Sequence, residues 1–337
     1  MILMISIMGN FKPNPNFAYY LYWQKERMDI FWRRYFGQEP PYTMDSILQE
    51  FKFTNVYRIL DRSSQYLVKE VIYNGRKYTR EGMFWRIMLF KHFNLPGTWD
   101  YITEKLGDID ENTPLGEVSR VVLEYEKEGG KPYSNAYMMT AAFLSGEKGK
   151  YVHLKGNGWK KYQYYFYVFE KELTKDYVKA LLDSTSPEMF LNGLRNVTSF
   201  GDFISYQIIQ DLCYSEVFDF DLNTFCLAGV GTIRGIQRTF DIEGKVDYGE
   251  IVIWTHQNLE RLREEYSDLL EVDLKFNGIP GLPLKVPDCS NIFCETFKYI
   301  KGVSPSDKDG EKRIKNFFTP SPKKIEYVFP PKWDVKI

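Results

Sequence analysis

A mainly helical fold is what the 337-residue sequence predicts, on three observations. Residues 17 to 36, FAYYLYWQKERMDIFWRRYF, put aromatics and aliphatics on one helical face and Lys25, Arg27, Arg33 and Arg34 on another. Residues 191 to 236 read as a helix, a short turn holding Gly201, then a second helix on which Ile204, Ile208 and Leu212 share a face. From about residue 302 the composition turns to Ser, Pro and Lys, as in a disordered tail. The expected organisation is an N-terminal extension over 1–16, one helical domain over 17–300 and a flexible tail over 301–337.

Taken in order, the first helix ends at Gly37 and Pro40-Pro41, and Thr43 is placed to cap a second one. Asp45, Asn55, Arg58 and Asp61 follow. They form either a buried polar network, since buried charges need partners, or a wall that hydrogen-bonds an extruded base. Residues 81 to 93 read as a dense helix, and the acidic, glycine-rich stretch from 107 to 131 as surface loops around one helix. Tyr133, Ala136, Tyr137 and Met138 restart an apolar helix. The segment GEKGKYVHLKGNGWKKY is the most basic in the chain, but no Gly-Lys-Ser/Thr closes it as a P-loop would. Lys155 and Lys160 there are candidates for phosphate contact, with a solvated loop as the plain alternative.

In the central stretch Asp219 and Asp221 follow the second helix, and Gly229-Val230-Gly231-Thr232 opens another. Free N–H groups at such a turn, together with the helix dipole, suit a phosphate. Gly201, Gly229, Gly231, Thr232 and Arg234 are therefore DNA-backbone candidates, against the alternative of helical corners that pack a core. Residues 247 to 271 form a charged helix. Asn291, Glu295 and Lys298, at i, i+4 and i+7, share one further helical face, as a surface ion pair or as support for a site.

Composition narrows the function. The hydrophobic content of 44% can bury a substantial core, and aromatics at 17% supply more rings than usual. A net charge of −1 provides no global basic field, so nucleic-acid contact has to come from a local patch. Cys213, Cys226, Cys289 and Cys294 do not describe a disulfide scaffold or a zinc ribbon, and His92, His153 and His256 lie far apart. No metal or other cofactor is expected. The opening MILMISIM lacks a basic region and a cleavage site and is too short to span a bilayer, so the expected location is intracellular, nuclear in a eukaryote, without a membrane partner.

Several of these residues carry a family likeness. The run Phe200-Gly201-x-Phe203, Tyr206-Gln207-Ile208, Asp211-Leu212-x-Tyr214, Asp221-x-x-Thr224-Phe225 and Ala228-Gly229-x-Gly231-x-x-Arg234-Gly235-Ile236 resembles the helix-hairpin-helix DNA glycosylases. More closely, it resembles the helical domain of phage 5-hydroxymethyluracil DNA kinases and of α-glutamyl/putrescinyl-thymine pyrophosphorylases. Two arginines, then Pro41-Tyr42-Thr43-x-Asp45, then Phe53-x-Asn55-x-Tyr57-Arg58-x-x-Asp61, resemble the signature that opens this domain. Asn291-x-x-Cys294-Glu295-x-x-Lys298-Tyr299 resembles its closing motif, with Ser290 where glutamine usually stands.

The resemblance implies a helix-hairpin-helix, glycosylase-like fold over roughly 17 to 300 and a DNA base-handling function without a kinase module. The leading expectation is excision of a modified pyrimidine, with Asp221 first and Asp219 second as the carboxylate that stabilises a cationic sugar. Tyr206, Gln207 or Phe203 would hold the extruded base. No lysine lies between Lys179 and Lys245, so a Schiff-base mechanism is not expected. A non-catalytic module that binds modified DNA, and transfer chemistry on a thymine pyrophosphate, are the alternatives. In the tail, Glu311-x-x-Ile314-x-x-Phe317-Phe318 resembles a sliding-clamp-binding box with glutamate in place of glutamine. It implies a helical turn that presents Ile314, Phe317 and Phe318 to a clamp.

Overall fold

A computed structural model of the chain describes residues 10–134, 142–144, 149–304, 314, 316–319 and 326–337. Among them the helices are α1 Phe17–Tyr35, α2 Ser46–Glu50, α3 Arg62–Tyr66, α4 Arg80–Phe93, α5 Pro96–Leu106, α6 Leu115–Lys127, α7 Lys161–Glu172, α8 Lys175–Leu182, α9 Pro187–Arg195, α10 Asp202–Leu212, α11 Val230–Thr239, α12 Tyr248–Leu270 and α13 Val286–Val303. One antiparallel pair, β1 Phe11–Pro13 with β2 Phe240–Ile242, is the sheet. The fold is mainly helical. Helices α3, α5, α7 and α8 are absent from the sequence reading: α3 and α8 are too short to show a repeat, α5 buries only three side chains, and α7 buries six spread around its circumference rather than along one stripe. The helix expected from Tyr133 lies mostly in 135–141, outside the described residues.

The chain divides into two compact units. One combines the residues up to Asp61 with those from Leu222 onward, and the other is Arg62–Asp221. The expectation of one domain over 17–300 contains no such division, and nothing in composition marks it.

In the first unit α13 packs against α1, α11 and α12. Phe17, Tyr20, Phe240 and Phe293 form its centre, with Tyr20 and Phe293 ring centroids 4.4 Å apart. The β1–β2 register sets Phe11 edge-on to Phe240 and Trp254. Helices α11 and α13 approach closely because Gly231 and Gly235 face the seam: a Cβ at 235 would run into the Phe293 carbonyl, and one at 231 into Cys294. Parts of the expected tail also sit on this unit. Phe51 and Phe317 form an antiparallel bridge, Tyr327 packs on Phe31 and Tyr35, and Phe329 and Val335 are buried.

In the second unit α4 touches α5, α8 and α10, and α9 packs on α10. His92, on α4, is surrounded by the rings of Phe93, Tyr133, Tyr165, Phe166 and Phe169. Lys91 and Asp211 form a buried ion pair at 2.9 Å that joins α4 to α10. Gly201 precedes α10 at φ −80°, ψ 174°, extended backbone that any residue adopts. Ile204, Ile208 and Leu212 are buried, as their spacing requires.

Candidate functional site

On α1, Arg27, Ile30 and Arg34 stand at i, i+3 and i+7 and so share a face. Opposite them run residues 40–43 and 48–53, and the two sides enclose a cavity of about 290 Å³ in the first unit. Its walls include Tyr42, Gln49, Phe51 and Phe53, with Phe318 from the tail closing one side. The short α2 positions this wall. Asp45, not Thr43, caps it: Asp45 Oδ1 accepts the N–H groups of Ile47 and Leu48, both at 2.9 Å. A carboxylate reaches two orphan amides at a helix start where a hydroxyl reaches one. Thr43 instead donates to Glu26 at 2.6 Å and accepts the Asp45 N–H. The other Asp45 oxygen accepts from Tyr22 at 3.1 Å and Tyr299 at 2.6 Å.

Behind the cavity, residues 52–55 are gripped from both sides. Arg27 donates from Nε to the Thr54 carbonyl at 2.9 Å and from Nη2 to Asn55 Oδ1 at 2.8 Å. Helix α13 grips the other side. Asn291 donates to Thr54 Oγ1 at 3.0 Å, Glu295 accepts the Thr54 N–H at 3.0 Å, and Lys298 donates to the Lys52 carbonyl. Asn55 donates its N–H to Asp61 Oδ1 at 2.9 Å, and the Arg58 N–H donates to Asp288 Oδ1 at 2.9 Å. Burial raises the Asp61 carboxyl to about 6, with the Asn55 amide and Arg27 opposing that rise. None of Asp45, Asn55, Arg58 and Asp61 lines the cavity. Asn55 bonds Asp61, the Arg58 amide bonds Asp288 and Asp45 caps α2, while the bonds at Thr54 and Asn55 fix the stretch next to Phe53, which does line the cavity. Lys298 adds its ammonium over the Phe53 ring, 4.2 Å from the centroid.

Phe318 apart, none of the remaining candidates is among the residues that line this cavity. Asp219 and Asp221 are exposed at the end of the second unit, whereas Gly229, Gly231, Thr232 and Arg234 belong to the first. Thr232 is corrected as a phosphate contact: it is buried and its hydroxyl donates to the Ser290 carbonyl at 3.0 Å. Gly231 faces Cys294, so helix packing alone explains a glycine there. Arg234 is exposed over the Phe297 ring, and Gly229 precedes α11.

In the second unit Lys155 is exposed, Lys160 lies 3.5 Å from Glu126, and Gly201 is open to solvent. Tyr206 is corrected as a base-holding ring: it is 1% exposed in the core, beside a half-buried Gln207, whereas Phe203 is 45% exposed. The helical turn expected around Ile314, Phe317 and Phe318 is also corrected. The described residues 316–319 bridge Phe51 instead, with the Phe318 N–H on the Glu50 carbonyl at 2.8 Å. Arg27, Tyr42, Gln49 and Phe53 were not singled out by sequence as site residues. The available signal was Arg27, a charge among the aromatics of α1.

The family model described as "5-hmdU DNA kinase, helical domain" matches residues 14–309. The chain belongs to this family. A 5-hmdU DNA kinase of Bacillus phage SP10 is 22% identical over 313 residues, covering 84% of this chain and 46% of the relative. The chain therefore spans about half the length of that relative. No solved structure matches it. The matched range takes in the opening signature around the cavity, all of Arg62–Asp221 and the α13 face that grips residues 52–55, but not Phe318. Among the described residues no helix is long and apolar enough to cross a membrane, and no group of His, Cys, Asp and Glu side chains could hold a metal ion.

Proposed function

We propose that this helical domain handles modified bases in DNA, and that the cavity between α1 and residues 40–53 is where such a base is held. The observation that carries this is convergence: Arg34, Pro41, Tyr42, Thr43 and Phe53, scattered through the signature that opens the domain, line one cavity. Its volume, about 290 Å³, lies at the lower end of small-ligand sites, which run from about 300 Å³ upward. Aromatic walls suit a base taken out of its stack. The name of the phage relative, a 5-hmdU DNA kinase, makes a 5-substituted uracil the base to test.

The test is fluorescence anisotropy with duplexes that differ only in one hydroxymethyluracil against thymine. The modified duplex is expected to bind more tightly, and Phe53→Ala to remove about tenfold of that affinity, in line with base–aromatic stacking. Equal affinity for both duplexes would sink the reading.

Base excision by Asp221 is a second reading, favoured by the exposure of Asp219 and Asp221 to an approaching strand. In it, Asp221→Asn lowers abasic-site formation by about 100-fold or more while binding is retained, because an amide cannot stabilise a cationic sugar. No abasic sites from the unmodified chain on a panel of modified pyrimidines would remove this reading and leave the binding one. Capture of a sliding clamp by Ile314, Phe317 and Phe318 would require the segment to leave Phe51, and no contact described above favours that.

A further inference from the structure

We propose that the same cavity is a binding site for a phosphate monoester, with Arg27 and Arg34 as its two cationic anchors and the aromatic wall taking the ring that carries the phosphate. Only the ring rests on the proposed function; the arginine pair stands on its own geometry.

Arg27 is 8% exposed, and two of its three guanidinium nitrogens are used on residues 54 and 55. The third, Nη1, is buried with no hydrogen-bond partner among the described residues, on a side chain that lines the cavity. A buried guanidinium N–H without an acceptor costs free energy, which an oxygen in the cavity recovers once the guanidinium turns Nη1 toward it. Arg34, two turns along the same face, has its guanidinium 5.6 Å from the centre of the Tyr42 ring and no ion pair among the described residues. Among the described residues that line the cavity none is acidic. Burial pushes the Arg27 guanidinium down to about 10; Asp61 opposes that shift and the charge of Arg34 adds to it. Both carboxylates that favour the charged Arg27 lie behind the wall, Asp61 bonded to Asn55 and Glu295 bonded to the Thr54 amide.

Among the described residues no counter-charge faces this pair on the cavity side. A dianionic phosphate fits it, because guanidinium groups donate in parallel to phosphate oxygens and two of them match its charge. Gln49 and Tyr42 belong to the same lining, the Gln49 amide having one hydrogen on the Thr43 carbonyl at 2.6 Å and a second to offer, and Phe51 and Phe53 supply apolar surface for a ring. A bare phosphate would leave that apolar surface unused, so a nucleotide is favoured over the free ion.

The test is calorimetric titration of the full chain with thymidine 5′-monophosphate, thymidine and inorganic phosphate as separate probes. The monophosphate is expected to bind at least about tenfold more tightly than either thymidine or phosphate, since a charge-assisted hydrogen bond contributes that much. Arg34→Gln should lower that affinity by about tenfold without lowering the thermal midpoint of the free protein, because Arg34 is only half-buried and has no partner carboxylate among the described residues. Arg27→Gln should lower it further. Should that variant fail to fold, Arg34→Gln decides alone.

Equal binding of thymidine and its monophosphate would overturn the proposal, as would monophosphate binding untouched by Arg34→Gln. Inorganic phosphate binding as tightly as the nucleotide would overturn it in favour of a free-phosphate site. Monophosphate binding together with equal affinity for the two duplexes above would leave this site standing and remove only the modified-base reading.

Discussion

Two buried side chains give the units opposite responses to pH. Asp61, behind the cavity, has its carboxyl raised by burial from 3.8 to about 6. The folded state holds that proton more tightly than the unfolded state, so its contribution is complete below about pH 4 and is lost as pH rises through 6. His92 has its imidazole lowered by burial, and then by Lys161, from 6.5 to about 3. Its contribution is complete above about pH 6.5 and is lost as pH falls toward 3. Each slope is limited to about 1.4 kcal/mol per pH unit. Asp61→Asn is expected to flatten the decline in first-unit stability between pH 4 and 6, read by hydrogen exchange of amides in α1 and α13. For His92, imidazole chemical shifts should show a neutral ring at pH 5, and a midpoint near 6 would overturn the burial argument. Neither behaviour was legible from sequence. Asp61 was read as part of a polar set and does bond Asn55 within it, but the charges of Arg27 and Glu295 reach it from α1 and α13, and the rings around His92 come from three segments of the chain.

At the scale of elements, Gly201 and Gly231, which sequence treated alike, separate into an open turn and a seam position against Cys294 that Gly235 shares. Gly235 lies in the α11–α13 seam against the Phe293 carbonyl, whereas Gly201 has nothing within 4 Å of where a Cβ would stand. Gly235→Val should therefore cost about 1–3 kcal/mol or more from overpacking, measured by urea denaturation. Gly201→Ala should stay within about 0.5 kcal/mol, as surface changes do. Because it folds, Gly201→Ala also tests the DNA-backbone role: unchanged DNA affinity in that variant would remove Gly201 from the contact list. Helix α10 shows how far periodicity carries. The spacing of Ile204, Ile208 and Leu212 identifies the helix and one buried face, but α10 also buries Ser205, Tyr206, Ile209, Gln210 and Asp211. A helix covered on several sides hides its extra buried face from any single-face pattern, which is why Tyr206 read as a site residue and is core.

For the whole molecule, the C-terminal stretch is the main departure in character from composition. Its Ser/Pro/Lys content reads as a tail, yet Tyr327, Phe329 and Val335 pack against the first unit and Lys285 stacks over the Trp333 ring at 4.6 Å. Ending the chain after Ser304 should destabilise the first unit by ~3 kcal/mol or more, the scale of burying one or two large apolar side chains. A urea midpoint unchanged by that truncation would show that these contacts contribute nothing. The same variant removes Phe318 from the cavity wall, so its affinity for thymidine 5′-monophosphate reports whether that wall shapes the site.

The sequence by itself determined the helical class, the helices with a strong apolar stripe, the i, i+4, i+7 face of Asn291, Glu295 and Lys298, and the family likeness. All of these depend on residues within a few turns of one another or on motif order. Only the tertiary structure decided which face meets which. Glu295 accepts the Thr54 amide from 241 positions away, and Phe318 comes to the wall that Arg27 and Phe53 form. Such pairings are fixed by side-chain packing between distant segments, and no local pattern encodes the partner. The cavity is therefore a property of the assembled first unit, although each residue that lines it was visible in the sequence from the start.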